Sequence, residues 1–205
     1  MIRPAYDLLS LPEETIRLRL AENDGLGMIP PAYQSWRRAA VLLSLLAIDG
    51  QWHILYIRRT ESVSEHKGQV AFPGGSMEPG DPSIEDTALR ETGEEIGVQP
   101  RHIRVLGHLP DFFTITNYLI RPVVAVMDWP LDLVISADEV DRVFTIPLGW
   151  LADPANYDER PWTRPNGDII PVIYYHHYDG EMLWGATARM TVDFIEILQR
   201  PILTE

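Results

Sequence analysis

Apolar positions change their spacing along this chain, and each change marks an element. Residues 39–48 form a short, almost unbroken apolar run, which suits a buried strand. Asp49-Gly50 is a strong hairpin signal, and residues 52–59 follow as a bulky return strand. A polar stretch, residues 60–67, leads to a short strand ending at Phe72. Pro73-Gly74-Gly75 then reads as a Gly-rich loop. Helical spacing takes over from Ile84 through Ala88, Leu89, Thr92 and Ile96. Asp81-Pro82-Ser83 can start that helix, because Asp and Ser accept from free N–H groups and Pro suits the first turn. Gly97 is placed to end it.

Residues 103–109 and 118–127 read as strands separated by residues 112–117, and Pro122 predicts an edge position or a bulge in the second. Residues 128–137 are a turn-rich connection. Glu139-Val140 leads into a strand at residues 143–146, and Pro147 begins a short helix toward Leu151. Residues 153–168 are expected to be a polar loop holding Tyr157, Trp162 and Arg164. Trp162 there either stacks on a ligand ring or packs the loop down. Asp179-Gly180 predicts a hairpin between residues 169–178 and 181–184. Residues 185–199 carry Ala188, Val192, Ile195 and Leu198 in amphipathic register, a terminal helix.

Strands before and after one central helix, closed by a terminal helix, fit α/β layering. At 205 residues the chain is long enough for one full core. Residues 1–36 are expected to be an N-terminal arm packed on a single domain, residues 37–205. Within the arm, Pro12-Glu13-Glu14 can open a short helix carrying Ile16, Leu18 and Leu20, before a loop through Gly25, Gly27, Pro30 and Pro31.

Composition then narrows the function. The net charge of −13 argues against a nonspecific grip on nucleic acid. It leaves phosphorylated small molecules open, since a metal or a local Arg or Lys can offset it. With no cysteine there are no disulfides, thiolate metal sites or Cys nucleophiles. The first residues lack a signal peptide's basic-then-apolar order, and residues 39–48 are too short to span a bilayer. A cytoplasmic protein without membrane contact is the expectation.

The carboxylates of the central helix are the candidate chemistry. Glu91 and Glu95 are spaced i, i+4, with Glu94 at i+3 from Glu91, so all three can project toward one patch of solvent. Each raises the cost of ionising its neighbour, and a hard cation such as Mg²⁺ removes that conflict. The plain alternative is a solvated acidic face with Arg90 paired to Glu94. The Gly-rich loop just upstream favours the site.

Residues 90–98, Arg-Glu-Thr-Gly-Glu-Glu-Ile-Gly-Val, resemble the second half of the Nudix box, Arg-Glu-apolar-x-Glu-Glu-x-Gly-apolar. Gly75 with Asp81 resembles its first half, although Asp81 stands where Glu is usual and lies one residue further from Arg90 than in the common form. Upstream, Arg59-Thr60, His66, Gly68-Gln69 and Phe72-Pro73-Gly74-Gly75 are similar to the coenzyme A pyrophosphatase branch, as is the later run from Leu183 to Arg189. Thr60 stands at that branch's Ser, and Ser64 at its second Arg.

The resemblance implies an α/β Nudix fold, a mixed sheet sandwiched between helices, with the box as loop–helix–loop. It implies a hydrolase of nucleoside diphosphate-linked small molecules that uses Mg²⁺ or Mn²⁺. Glu91 and Glu95 would hold the ion, helped by Glu94 and the Gly75 carbonyl. Glu94, Glu95 and Glu139 are the candidates for catalysis, Glu139 because a Glu-Val before an apolar strand often lies near the metal in this family. Arg58, Arg59 and Lys67 are candidate phosphate contacts, while Arg90, Gly74 and Gly97 would hold the box in shape. Coenzyme A or an acyl-coenzyme A is the implied substrate. ADP-ribose, NADH and damaged nucleotides are alternatives, and a nucleotide-sensing module without catalysis is a reading of another class. The sequence is compatible with a homodimer.

Overall fold

The computed structural model describes residue 8 and residues 11–22, 31–61, 67–164 and 166–200. The predicted loop at Gly25, Gly27 and Pro30, and the motif positions Ser64 and His66, lie outside the described residues.

Strands β1 (Arg37–Ile48) and β2 (Gln51–Arg59) form the expected hairpin. Asp49 and Gly50 both take positive φ, 50° and 76°, as a two-residue type I′ turn requires. The strands pair only near this turn, from Leu45 opposite Ile54 to Ile48 opposite Gln51. Beyond it they diverge. β3 (Val70–Ala71) pairs with β2 and β4 (Gly74–Ser76) pairs with β1, so residues 70–76 fill the fork between them. The expected Gly-rich loop is therefore partly strand. Gly74 makes this feasible, because a Cβ there would lie 2.3 Å from the Ala40 carbonyl oxygen.

β5 (Ile103–His108) and the two-residue β6 (Phe112–Phe113) both line one side of β7 (Tyr118–Met127), antiparallel to it. The other side of β7 runs parallel to β1. β8 (Val140–Pro147) pairs with the outer edge of β2. The mixed sheet thus runs β8, β2, β1, β7, β5. Pro122 lies in an interior strand, not at an edge or at a bulge of β7. Its missing N–H falls where the neighbour changes from β5 to β6, and its carbonyl still accepts from Leu109 N–H at 3.0 Å.

Alternation sorts the side chains to two buried faces. Leu43, Leu45, Ile54, Tyr56 and Val124 point one way, toward α1 (Glu13–Ala21) and α4 (Gly185–Gln199). Ala40, Leu42, Leu46, Leu55, Ile57 and Val123 point the other way, toward α2 (Ile84–Ile96). The result is the expected helix–sheet–helix sandwich. Ile16 and Leu20 of α1 are fully buried, whereas Leu18 faces solvent. Trp52 Nε1 donates to the Leu11 carbonyl at 2.8 Å, tying the chain ahead of α1 to the sheet.

After α3 (Leu148–Leu151), the predicted polar loop is largely β9 (Tyr157–Thr163), paired antiparallel with β10 (Ile169–Tyr175). Its mostly exposed, polar side chains concealed it, yet Asn166-Gly167 at the turn is a hairpin signal, with Gly167 at φ 92°. The second expected hairpin is reduced to the bridges Tyr174–Trp184 and Tyr178–Glu181 around Asp179-Gly180. No helix among the described residues is long and apolar enough to cross a membrane.

Candidate active site

The box segment folds around Asp81. Both of its carboxylate oxygens take Arg90, from Nε at 2.9 Å and Nη2 at 3.1 Å. Glu78 N–H and Thr87 Oγ1 also donate to Oδ2, each at 2.9 Å. The Arg90 guanidinium holds the Asp81 carboxyl well below the usual carboxylate range. Arg90 further donates to the Ser76 carbonyl at 3.1 Å, so one side chain fastens the incoming loop to α2. Its predicted pairing with Glu94 is present at 3.0 Å, and it also meets Glu91 at 2.9 Å. Ser83 caps the helix by accepting from Asp86 N–H at 3.1 Å. Gly97 closes it at φ 75°, where a Cβ would strike Val134.

The three glutamates do not share one solvent patch as expected. The side chains are 58% exposed at Glu94, 16% at Glu91 and 1% at Glu95. α2 turns Glu95 into the fork of the sheet. There its Oε2 accepts from Gly74 N–H at 3.0 Å and its Oε1 from Arg59 Nη1 at 3.2 Å. Burial pushes the Glu95 carboxyl up to about 8, and the charges of Glu91 and Glu139 push the same way. The Gly74 amide and Arg59 oppose them. Burial also raises Glu91, with Arg90 opposing and Glu94 and Glu139 adding to the rise. Glu139 is exposed on the turn ahead of β8, yet its charge reaches both box carboxylates. The structure therefore brings Glu91, Glu95, Glu139 and Arg59 together beside Gly74 and Gly75.

It does not bring Arg58 there. Strand alternation puts Arg58 on the opposite face of β2, where it pairs with Asp141 and with Glu181, the latter at 3.2 Å. Arg142 also meets Glu181 at 3.2 Å, so both arginines anchor the Asp179-Gly180 turn segment to the sheet. Lys67 is exposed, just ahead of Gly68.

The carboxylates suit a hard divalent ion. A Cβ on Gly75 would lie 2.5 Å from the Glu91 carboxyl, so glycine leaves the space into which that group reaches. The buried, mutually repelling acids are the electrostatic situation that a cation relieves. Among the described residues no three His, Asp or Glu side chains form a ready-made cage. A Mg²⁺-type ion does not need one, because it takes one or two carboxylates and completes its shell with water and substrate phosphate.

Three partnerships escaped sequence reasoning. Asp81 as the seat of Arg90 and Arg59 as the partner of Glu95 each join residues with no periodic relation, the second pair 36 positions apart. The third is the backbone link from Thr60 N–H to the Glu139 carbonyl, at 2.9 Å.

A family model described as the NUDIX domain matches residues 36–166. The chain is 31% identical over 166 residues to the mouse peroxisomal coenzyme A diphosphatase NUDT7, across 78% of this chain and 70% of that protein. It is 35% identical over 153 residues to an Escherichia fergusonii protein named uncharacterized Nudix hydrolase NudL, across 74% of this chain and 78% of that one. A solved MutT/nudix family protein from Enterococcus faecalis is similar at a TM-score of 0.50 and 18% identity, covering 81% of this chain and 63% of that one, which bears on the fold alone.

Proposed function

Because this chain belongs to the Nudix family of pyrophosphohydrolases, we propose that it cleaves the diphosphate of coenzyme A or an acyl-coenzyme A, giving 3′,5′-ADP and a 4′-phosphopantetheine. The observation that carries the reading is the buried Glu95, held by Gly74 N–H and Arg59 and facing the charges of Glu91 and Glu139. Nudix hydrolases act on nucleotide-linked small molecules and generally need a divalent metal ion. Here Glu91 and Glu95 would hold Mg²⁺ or Mn²⁺, with Glu94 and the Gly75 carbonyl at the margin. Such an ion neutralises diphosphate charge and makes attacking water more acidic.

The chain's own groups supply the rest. Glu139 is the better proton acceptor, because Glu94 is tied to Arg90 while Glu139 stands exposed beside the box acids. Arg59 presents its remaining guanidinium N–H groups to substrate phosphate, a planar donor fork suited to that anion. Lys67 would be an outer phosphate contact, while Arg58, paired with Asp141 and Glu181, would take no part. The coenzyme A substrate is supported by the motif around Arg59-Thr60 and Phe72-Pro73-Gly74-Gly75 and by the name of the mouse relative.

The test is a mass-resolved product assay with Mg²⁺ or Mn²⁺ on coenzyme A, ADP-ribose, NADH and an oxidised dGTP. Release of 3′,5′-ADP from coenzyme A, fastest of the four, is the expected result. Faster cleavage of another substrate would keep the chemistry and discard coenzyme A. Mg²⁺-dependent nucleotide binding with no product from any substrate would overturn the enzyme reading in favour of a sensor.

A further inference from the structure

We propose that Thr60 is a positioning residue whose hydroxyl sets Glu139 against the box carboxylates. This rests on the hydrolytic reading of that centre and extends it to a residue that touches neither ion nor substrate.

Thr60 follows Arg59 at the end of β2 and holds two successive carbonyls of one turn. Its N–H donates to the Glu139 carbonyl and its Oγ1 to the Asp138 carbonyl, each at 2.9 Å. The same turn is fastened at its other end to α2. Ser136 N–H donates to the Glu95 carbonyl at 2.9 Å, and Val134 N–H to the Ile96 carbonyl at 3.1 Å. Between these anchors Glu139 N–H closes on the Ser136 carbonyl at 3.0 Å. Glu139 therefore sits on a short strap tied on one side to the helix bearing Glu91 and Glu95, and on the other to the strand bearing Arg59.

Asp138 and Glu139 are both exposed, so the strap itself has no apolar burial at these positions to hold it. These hydrogen bonds hold it, together with the adjoining Val140, which is buried and in register with Arg59. Thr is stiff at χ1, which keeps the hydroxyl aimed. The dipeptide thus serves both halves of the centre, with the Arg59 side chain on Glu95 and Thr60 on the strap. Fixing a proton acceptor beside the reacting centre acts on turnover more than on substrate affinity.

Thr60→Val keeps the side-chain shape and the backbone bond but removes the Oγ1 donor, while Thr60→Ser keeps the donor. The valine variant should lose roughly tenfold in kcat with KM within about twofold, and the serine variant should recover kcat to within about twofold of wild type. In a Glu139→Gln background the valine change should cost nothing further. Amide hydrogen exchange at residues 136–140 should quicken in the valine variant and not in the serine variant.

Wild-type turnover in Thr60→Val would overturn the proposal, and so would penalties of Thr60→Val and Glu139→Gln that multiply. Full activity in Glu139→Gln alone would remove Glu139 from the mechanism and Thr60 with it. A wild-type protein that cleaves no diphosphate would sink the functional reading instead. Exchange then judges the anchor by itself, and an unchanged rate in Thr60→Val would remove it.

Discussion

Glu95 concentrates the electrostatics of the molecule in one carboxyl. Burial raises it to about 8, from a value of 4.5 for an ordinary glutamate, despite donation from Gly74 and Arg59. Between those two values the folded chain binds a proton that the unfolded chain has released. The stability this contributes is complete below the unfolded value and is lost as pH rises through about 8. The metal-free protein should therefore melt at a lower temperature at about pH 8.5 than at about pH 5.5, read by calorimetry in a chelator. Glu95→Gln should flatten that slope, and an unchanged slope would remove Glu95 as its source. The same variant keeps the shape of the side chain but carries no charge. Its kcat should fall by at least about a hundredfold while its circular dichroism stays that of the wild type. Near-normal turnover would end the assignment of Glu95 to the reaction.

The turn from β4 into α2 works through adjacent glycines with different tasks. Gly74 adopts φ 153°, and a Cβ on it would meet the backbone of Ala40 and Val41, which cannot move without parting β4 from β1. Gly74→Ala should cost roughly 2–4 kcal/mol, seen as a lower denaturation midpoint. The nearest atoms to a Cβ on Gly75 would all belong to the end of the Glu91 side chain, which can swing away. Gly75→Ala should therefore keep most of its stability and lose activity by displacing Glu91. Equal melting losses in the two variants would contradict this division. Asp81 explains why a box with an unusual acid at an unusual spacing still closes. A carboxylate two carbons from the backbone needs the donor close by, and the loop brings Arg90 Nε to 2.9 Å.

Across the whole molecule, α1 and the terminal helix α4 cover the sheet face that α2 leaves bare. We propose that α1 is part of the domain's own core rather than a detachable lid. Ile16→Ala should then cost about 2–5 kcal/mol of unfolding free energy, as for a core residue, against little change if the arm were loose. Much of this architecture was legible in the chain. The runs behind β1, β2 and β7 and the periodicity of α2 and α4 are local signals. So are the Asp49-Gly50 turn, the Ser83 cap and the Gly97 stop, because each depends on residues within a turn or two. The spacing of Glu91, Glu94 and Glu95 was legible for the same reason, but not that Glu95 would be buried and Glu94 left in solvent. Strand period also says that Arg58 and Arg59 point apart, but not which of them faces α2. That choice, the burial of Glu95 beside an exposed Glu94, and the filling of the β1–β2 fork by residues 70–76 all follow from how the sheet meets the helix. β9 was hidden because its partner strand β10, not its own apolar content, holds it. The seat of Arg90 on Asp81 and the strap from Thr60 to residues 138 and 139 join positions that no local pattern connects. The strap exists because packing α2 onto one sheet face carries loops distant in sequence to the same end of β2, whereas the Arg90 seat closes within the box, between its loop and the helix that follows.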